Sequence, residues 1–269
     1  MKILFCGDVV GSAGRKAIEK YLPDLKKDLS IDVVIINAEN AAHGFGLTPK
    51  MVDAFKKFGA DILTMGNHTF DKKDIFEVLD KDPSIIRPLN YPDGTIGRGF
   101  GIFDTPKGKI AVIQLLGRLF MKPNEHPFEA LDKALASCQL GKDVNAIIVD
   151  MHAEATSEKM ATGFFADGRV SAVLGTHTHI PTADCMILPN GTGYMTDVGM
   201  CGDYYSVIGM TTQSALPRFT SEKKEANSRL EPAEKDGTLC GVYIETDDNS
   251  GKCTHIRPIR LGAHLIETK

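Results

Sequence analysis

The chain opens with Met1-Lys2-Ile3-Leu4-Phe5-Cys6-Gly7-Asp8, a short apolar run that ends in a glycine and a carboxylate. Four successive apolar residues in so short a run are typical of a strand that is buried on both faces. The amphipathic segment 14–29 predicts a helix, and the β-branched run 32–36 predicts a second buried strand. This strand–helix–strand beginning indicates an α/β fold.

Apolar runs separated by helix-like segments continue along the chain. Thr48-Pro49 opens the next helix, because a capping residue followed by proline is a common helix start. Pro106-Lys107-Gly108 lies between the apolar runs 101–104 and 110–115, and this arrangement predicts a β-hairpin. Further strands are predicted at 61–65, 146–150 and 170–174, and further helices at 71–79 and 157–165.

The last part of the chain changes to β-structure, with strands predicted at 185–188, 193–196, 238–246 and 253–261. Helices that alternate with strands early, followed by a run of strands, indicate two packed sheets with helices outside. Residues 218–237 are polar, highly charged and aperiodic. We expect a mobile surface loop there rather than a linker, because the strands after it would form a poor domain alone. Residues 1–269 are therefore interpreted as one domain.

Charge and cysteine content limit which partners the chain can bind and which cellular compartment it occupies. The formal net charge of −4 argues against a broad basic surface for long nucleic acid, although a small phosphorylated ligand remains compatible. No run is long and apolar enough to span a bilayer, and no signal-type segment precedes a cleavage site. The six cysteines are scattered without a Cys-x-x-Cys pair, as reduced core cysteines are. We therefore expect a cytoplasmic protein.

Polar residues of metal-binding types follow five of the predicted strands: Asp8, Glu39-Asn40, Asn67-His68, His152, and His177 with His179. The carboxyl ends of strands converge on one edge of an α/β sheet, so we expect these groups to meet in space. Each segment alone has an ordinary interpretation, as a helix cap, a loop pair or a buried core histidine, and His177-Thr178-His179 could serve a single zinc ion. The five together favour one site with several metal ligands.

These segments resemble the motif series of the calcineurin-like metallophosphoesterases, which runs Gly-Asp, an acidic segment, Gly-Asn-His, His and Gly-His-x-His. The matching stretches cover residues 7–179 in the same order and are highly specific as a set. They are Gly7-Asp8, Asn37-Ala38-Glu39-Asn40, Gly66-Asn67-His68, Met151-His152 and Gly175-Thr176-His177-Thr178-His179.

Three departures from this motif series point to one subfamily. Val10 stands where the first motif usually carries a histidine, and Glu39 stands where the bridging carboxylate is usually aspartate. Thr69 replaces the acidic residue that often follows Gly-Asn-His. These changes resemble the YmdB-like subfamily, as do the stretches Asn37-Ala38-Glu39-Asn40-Ala41-Ala42-His43-Gly44 and Thr196-Asp197-Val198-Gly199-Met200-Cys201-Gly202.

Resemblance to this subfamily implies a four-layer αββα sandwich of two mixed β-sheets flanked by helices, a dinuclear iron centre, and phosphodiesterase activity on 2′,3′-cyclic nucleotides. Asn40 would stand in for the missing histidine, and Glu39 is the natural bridge because a carboxylate has two oxygens. One ion would take Asp8, Glu39, Asn40 and His179, and the other Glu39, Asn67, His152 and His177. Such mixed ligands suit iron or manganese and tolerate zinc, so iron rests on the resemblance.

Two histidines have predicted roles toward the substrate. By the resemblance, His68 would point past the metals and protonate the leaving oxygen, the alternative being a ligand or a ligand-supporting group. His43 lies on a turn just past the ligands, where it could touch phosphate or ribose or simply be exposed. Asp150 and Asp197 could orient ligand histidines or act as local caps.

Three other functions remain open. A phosphomonoesterase or protein phosphatase could use the same centre, because loops select the substrate. A regulatory protein with a low-activity site is a second alternative, although every metal position holds a competent residue. A structural single-zinc protein needs only four ligands, fewer than this chain offers. We expect a small phosphodiester substrate, no membrane or long nucleic-acid partner, and a homo-oligomer, most simply a dimer.

Overall fold

The computed structural model describes residues 1–122, 124–220 and 229–269, whose strands form two six-stranded sheets. The strands are β1 (Lys2–Cys6), β2 (Val33–Asn37), β3 (Ile62–Thr64), β4 (Ile85–Ile86), β5 (Phe100–Thr105), β6 (Gly108–Leu116), β7 (Ala146–His152), β8 (Ala172–Thr176), β9 (Met186–Ile187), β10 (Gly193–Met195), β11 (Thr238–Thr246) and β12 (Cys253–Gly262). One sheet has the order β12-β11-β1-β2-β3-β4, and the other has the order β5-β6-β7-β8-β10-β9. Both are mixed, with parallel strands β1 to β4 and β6, β7, β8 and β10 and antiparallel neighbours at the edges.

Helices cover the outer face of each sheet. They are α1 (Gly11–Asp28), α2 (Pro49–Phe58), α3 (Ile75–Lys81), α4 (Pro127–Ser137) and α5 (Thr156–Ala166). Two further helices are short, α6 (Thr212–Ala215) and α7 (Pro217–Thr220). Apolar side chains of α1, α2 and α3 pack on β1–β3, those of α4 and α5 pack on β6–β8, and a third cluster lies between the sheets. The layers are therefore helix, sheet, sheet and helix, which confirms the predicted αββα fold.

Strand β1 shows why an unbroken apolar run belongs in this fold. Ile3 and Phe5 lie in the cluster between the sheets, whereas Leu4 and Cys6 lie in the cluster beneath the helices. All four are fully buried, because successive side chains of a strand point to opposite faces and both faces of this sheet are covered. The glycine and aspartate that follow come out at the edge of the sheet.

Two predicted elements differ from the structure. The helix predicted at 71–79 spans Ile75–Lys81 instead, because the residues before it form turns and the Asp71 carboxylate pairs with the His68 ring. The loop predicted at 218–237 begins inside helix α7, and Thr211 N–H donates to the carbonyl of Glu231 at 2.8 Å. Both ends of that segment are therefore structured, and its residues 221–228 lie outside the described part of the chain.

The expectations on membranes and cysteines can be compared with the described residues. None of the helices there is both long and apolar enough to cross a bilayer. The six cysteines are free, and all but Cys185 are buried. They pack as apolar core residues, as their scattered spacing predicted.

Candidate metal centre

The sheets bring the polar strand ends together. Asp8, Glu39 and Asn67 follow the parallel strands β1, β2 and β3 of one sheet. His152 ends β7 of the other sheet, and His177 follows β8. The His177 N–H donates to Asp8 Oδ2 at 3.1 Å, although the two residues are 169 positions apart. The strand ends of both sheets therefore meet at one place.

Three predicted ligand atoms surround a fourth, the Nε2 atom of His152. This nitrogen lies 3.0 Å from Asn67 Oδ1, 3.0 Å from Glu39 Oε1 and 3.1 Å from His177 Nδ1. Atoms that bind one ion at about 2.1 Å and at right angles are about 3 Å apart. Glu39, His152 and His177 each place a donor atom within 4.8 Å of the others. The four side chains therefore have the spacing of a shared cation site.

Oxygen atoms predicted to bind the other ion have no hydrogen-bond donor. Asp8 Oδ1 and Asn40 Oδ1 are buried without a partner, and Glu39 Oε1 has none besides the His152 ring. Buried polar atoms are nearly always paired, and an unpaired carboxylate oxygen is costly unless a cation replaces the donor. His179 Nδ1 lies 2.8 Å from the carbonyl oxygen of Ile208, which can only accept, so Nε2 carries the lone pair. This donor set fits a metal ion.

His152 is held so that its Nε2 points to the site. Its Nδ1 donates to Thr176 Oγ1 at 2.9 Å, and Thr176 Oγ1 donates its single hydrogen to Asp150 Oδ1 at 2.7 Å. Nδ1 therefore carries the proton, which leaves the Nε2 lone pair for a metal. The buried Asp150 carboxylate is held in turn by Asn37, Thr64 and Gln114.

The turn His177-Thr178-His179 has an unusual backbone. The φ angle is +94° at His177 and +67° at His179, in a region that residues other than glycine rarely adopt. Asp197 accepts from the Thr178 N–H at 3.1 Å and from Thr178 Oγ1 at 2.6 Å. Its carboxylate also pairs with Lys159 Nζ at 2.7 Å, and both of these side chains are fully buried. Asp197 and Lys159 thus support the turn that carries both histidines.

Glu39 and His152 lie so close to position 66 that only glycine fits there. A Cβ atom at this position would lie 2.3 Å from Glu39 Oε2 and 2.6 Å from His152 Nε2. Both distances are far below van der Waals contact, and a packed interior cannot move both groups aside. The glycine of the Gly-Asn-His motif is therefore needed for Glu39 and His152 to meet.

The carboxylates make the site favourable for positive charge. Burial lowers the pKa of His152, but the neighbouring carboxylates, Glu39 foremost, outweigh it and raise that pKa to about 9. Burial raises the pKa of Glu39, but His152 outweighs it and the pKa is about 2. Burial, with a contribution from His152, lowers the pKa of His177 to about 3, so this imidazole is neutral. The same carboxylates that favour a proton on His152 would favour a metal cation at that place.

His68 lies beside the ligands. Its backbone N–H donates to Glu39 Oε2 at 2.9 Å, and its Nδ1 lies 2.7 Å from Asp71 Oδ2. Because the carboxylate accepts from Nδ1, Nε2 is the nitrogen available to a substrate. The Phe45 ring packs edge-on against the imidazole, with centroids 4.9 Å apart. His43 is exposed, with φ at +56°, and is not one of the described residues that line the adjoining cavity.

A cavity of about 390 Å³ opens beside the ligands. The polar part of its lining includes Glu39, Asn40, His68, His177 and His179. A larger cleft of about 630 Å³ lies at the amino ends of the strands, and the described residues that line it include four aspartates but no histidine. The chemistry expected from the polar strand ends therefore belongs to the smaller cavity.

A family model described as YmdB-like protein matches residues 4–259. The chain belongs to the YmdB-like protein family. It is 48% identical to the 2′,3′-cyclic-nucleotide 2′-phosphodiesterase of Bacillus subtilis (strain 168), over 97% of this chain and 97% of the relative. The predicted membership of this family is thereby confirmed.

Solved structures similar to this chain share its whole fold. The crystal structure of a novel phosphatase from Mycoplasma pneumoniae has a TM-score of 0.90 and 38% identity, and the match covers 97% of this chain and 93% of that one. A hypothetical protein from Thermus thermophilus also has a TM-score of 0.90 and 38% identity, with 97% of this chain and 99% of that one covered.

Several contacts of this YmdB-like centre were missed from sequence. Thr176 lies between two motif residues but had no predicted role, although it joins Asp150 to His152. Asp71 could have been found, because a carboxylate three positions after His68 can reach its ring in a turn. The Ile208 carbonyl that fixes His179 has no sequence signal, because any residue supplies a carbonyl.

Proposed function

We propose that this chain is a dinuclear-metal phosphodiesterase that hydrolyses 2′,3′-cyclic nucleotides to 3′-nucleotides. The convergence of Asn67, Glu39 and His177 on His152 Nε2 is the observation that carries the proposal. The similarity to a named 2′,3′-cyclic-nucleotide 2′-phosphodiesterase supplies the substrate class. With a novel phosphatase also among its relatives, the chain is a hydrolase of phosphoester bonds.

The proposed ligands divide between two ions that share Glu39. One ion would be held by Asp8, Glu39, Asn40 and His179, and the other by Glu39, Asn67, His152 and His177. Two metal ions bound in this way supply an activated water and stabilise negative charge on the phosphoryl oxygens. Iron is the metal that the subfamily resemblance implies, and the donor set also suits manganese or zinc.

We assign the role of general acid to His68. Asp71 accepts the Nδ1 proton, so a protonated His68 donates from Nε2. When the oxygen of a water molecule bonds to phosphorus in a 2′,3′-cyclic nucleotide, the bond from phosphorus to the 2′ oxygen breaks. The His68 proton goes to that 2′ oxygen, and the phosphate remains on the 3′ oxygen. His68 lines the cavity together with the proposed ligands, within reach of a phosphate bound there. His43, the weaker substrate-binding prediction, is not needed in this scheme.

A diester suits the cavity better than a monoester does. Of the described residues that line it, Arg218 is the one with a permanent positive charge. A diester carries one negative charge and a monoester carries up to two, so the monoester needs more cationic support. A phosphomonoesterase on the same centre is nevertheless the second candidate, because a similar solved structure is named a phosphatase.

Product analysis tests the proposal. Protein loaded with Fe²⁺, Mn²⁺ or Zn²⁺ is given 2′,3′-cyclic AMP, bis(p-nitrophenyl) phosphate and p-nitrophenyl phosphate, and the nucleotide products are separated by chromatography. We expect 3′-AMP, with the cyclic diester hydrolysed faster than the monoester. A 2′-AMP product contradicts the assigned leaving oxygen, and faster hydrolysis of the monoester supports the phosphatase. A Glu39→Ala preparation controls for contaminating phosphatases.

A further inference from the structure

One wall of the cavity beside the proposed metal centre is apolar. The phosphate chemistry needs only some of the polar side chains that line this cavity of about 390 Å³. The rest of its lining includes Phe45, Val207, Ile208, Met210, Phe219 and Leu230. The cavity thus combines an anion-binding end with an apolar surface, and its size is that of a small-molecule site.

A separate hydrophobic cluster supports this wall from behind. Val10, Met200, Met210 and Ala215 are buried there, and further side chains of the wall pack against them. Backbone hydrogen bonds join Val207 to Met210 in both directions, at 2.8 and 3.0 Å. Phe45, Val207, Met210 and Leu230 of this wall are therefore held by packing beside the proposed ligands.

Ile208 couples the wall to a proposed metal ligand. Its φ angle is +46°, which is a clear outlier for a β-branched residue. Its carbonyl accepts from His179 Nδ1 at 2.8 Å, while its side chain lines the cavity and is 48% exposed. Strain of this kind persists where surrounding structure holds it, often at functional sites. The same residue therefore orients His179 and presents an apolar surface beside it.

Phe219 is the most exposed aromatic side chain of this wall. It is 78% exposed and lines the cavity from helix α7. Single exposed apolar residues are common and need no explanation alone. Here, however, the ring lines the same cavity as a strained isoleucine and the apolar side chains that the cluster supports. That arrangement provides a planar face for a planar ligand group.

We propose that this wall binds the base of the cyclic nucleotide, with Phe219 as its stacking surface and Ile208 as a further contact. This inference rests on the proposed function, because the phosphate end fixes where the rest of the substrate lies. Every base has an apolar π-face that stacks on aromatic side chains, largely independently of its identity. A base attached to the ribose is therefore the part of the substrate that matches a wall of apolar side chains.

The first test compares substrates with and without a base. The specificity ratio is kcat/KM for 2′,3′-cyclic AMP divided by kcat/KM for methyl riboside 2′,3′-cyclic phosphate. Phe219→Ala should lower this ratio roughly five- to a hundredfold, the range given by loss of one base–aromatic stack. Ile208→Gly should also lower it, since glycine tolerates the positive φ and retains the carbonyl for His179. Phe120→Ala, an exposed phenylalanine that lines none of the described cavities, should leave the ratio unchanged.

An unchanged ratio in Phe219→Ala, or a wild-type enzyme that does not distinguish the two substrates, overturns the base subsite but leaves the proposed function intact. Failure of the wild type to hydrolyse any cyclic diester instead contradicts the proposed function. Binding of adenosine to the Zn²⁺-loaded protein, followed by saturation-transfer NMR, separates the two cases, because adenosine has no phosphoester bond and its binding needs no catalysis. Adenosine signals should be strong with the wild type and weaker with Phe219→Ala, whereas equal signals overturn the inference.

Discussion

Glu39 occupies the central position of the site at the residue scale. Its Oε1 lies 3.0 Å from His152 Nε2, and its Oε2 accepts from the His68 N–H at 2.9 Å. The Glu39 side chain is 1% exposed, so bulk water does not readily reach its carboxylate to solvate the charge. A fully buried carboxylate between ligands from both sheets is suited to bridge two ions.

Replacing Glu39 with alanine should remove both ions, because this is the one residue shared by the two proposed ligand sets. Metal affinity should fall by more than the roughly 10–100-fold that loss of an outer hydrogen bond costs. Inductively coupled plasma mass spectrometry of purified protein measures the metal content, and turnover should fall with it. Glu77→Ala, at a side chain that is 85% exposed, is the matched control. Full occupancy in Glu39→Ala contradicts the dinuclear assignment.

His68 should behave as an acid and not as a ligand. His68→Ala is expected to keep both metals and to lose roughly 10²–10⁴-fold in turnover of 2′,3′-cyclic AMP. The loss should shrink for bis(p-nitrophenyl) phosphate, whose leaving group needs little protonation. Asp71→Asn should show the same dependence on the leaving group more weakly, because it removes the acceptor that orients the ring. A parallel loss of metal in His68→Ala assigns His68 to the ligands instead.

At the scale of elements, helix α5 supports the candidate metal centre. It carries Lys159, whose side chain is completely buried and pairs with Asp197 beneath the turn of the ligand histidines. Removing one partner of a buried ion pair leaves an uncompensated charge in the interior. The element thus supplies both packing and the charge that keeps Asp197 in place.

Lys159→Met should therefore lower the free energy of unfolding by about 3–5 kcal/mol, as measured by urea denaturation. Methionine retains much of the apolar stem, so lost packing contributes little. Lys133→Met on helix α4, at an exposed position, should change the stability by less than about 0.5 kcal/mol. A similarly small effect in Lys159→Met means that the buried pair does not support the turn.

The two sheets contribute different proposed ligands, so the proposed metal binding depends on the whole molecule. Asp8, Glu39 and Asn67 follow strands of one sheet, and the ligand histidines follow strands of the other. A cation bound between them connects the sheets at their carboxyl ends. Its proposed ligands come together only in the folded chain, so binding would stabilise the fold.

Metal at about a hundred times its dissociation constant should stabilise the fold by about 2.7 kcal/mol and raise the melting temperature by about 5–10 °C. Differential scanning calorimetry with Mn²⁺ and with chelator measures this shift. Glu39→Ala should show almost none, whereas Glu77→Ala should match the wild type. An equal shift in all three proteins indicates binding outside the proposed centre. Two expectations about the whole molecule stay predictions: that residues 1–269 form a single domain, and that the chain forms a homo-oligomer.

The sequence alone determined the layers and the residues of the candidate site. Apolar runs such as 3–6 predict strands buried on both faces, because a strand alternates its side chains and each face needs a cover. Polar residues directly after such runs, from Asp8 to His179, had to lie at the sheet edges. Those two rules depend only on the order of residues, so they can be applied without coordinates.

Only the tertiary structure decided which atoms meet. Sequence spacing did not indicate that Thr176 orients His152, that Lys159 lies under Asp197, or that the Ile208 carbonyl fixes His179. These contacts join elements that are far apart in the chain, and two of the residues involved have positive φ angles that their types disfavour. Long-range packing selects such partners and such backbone conformations, and local propensity carries no information about either.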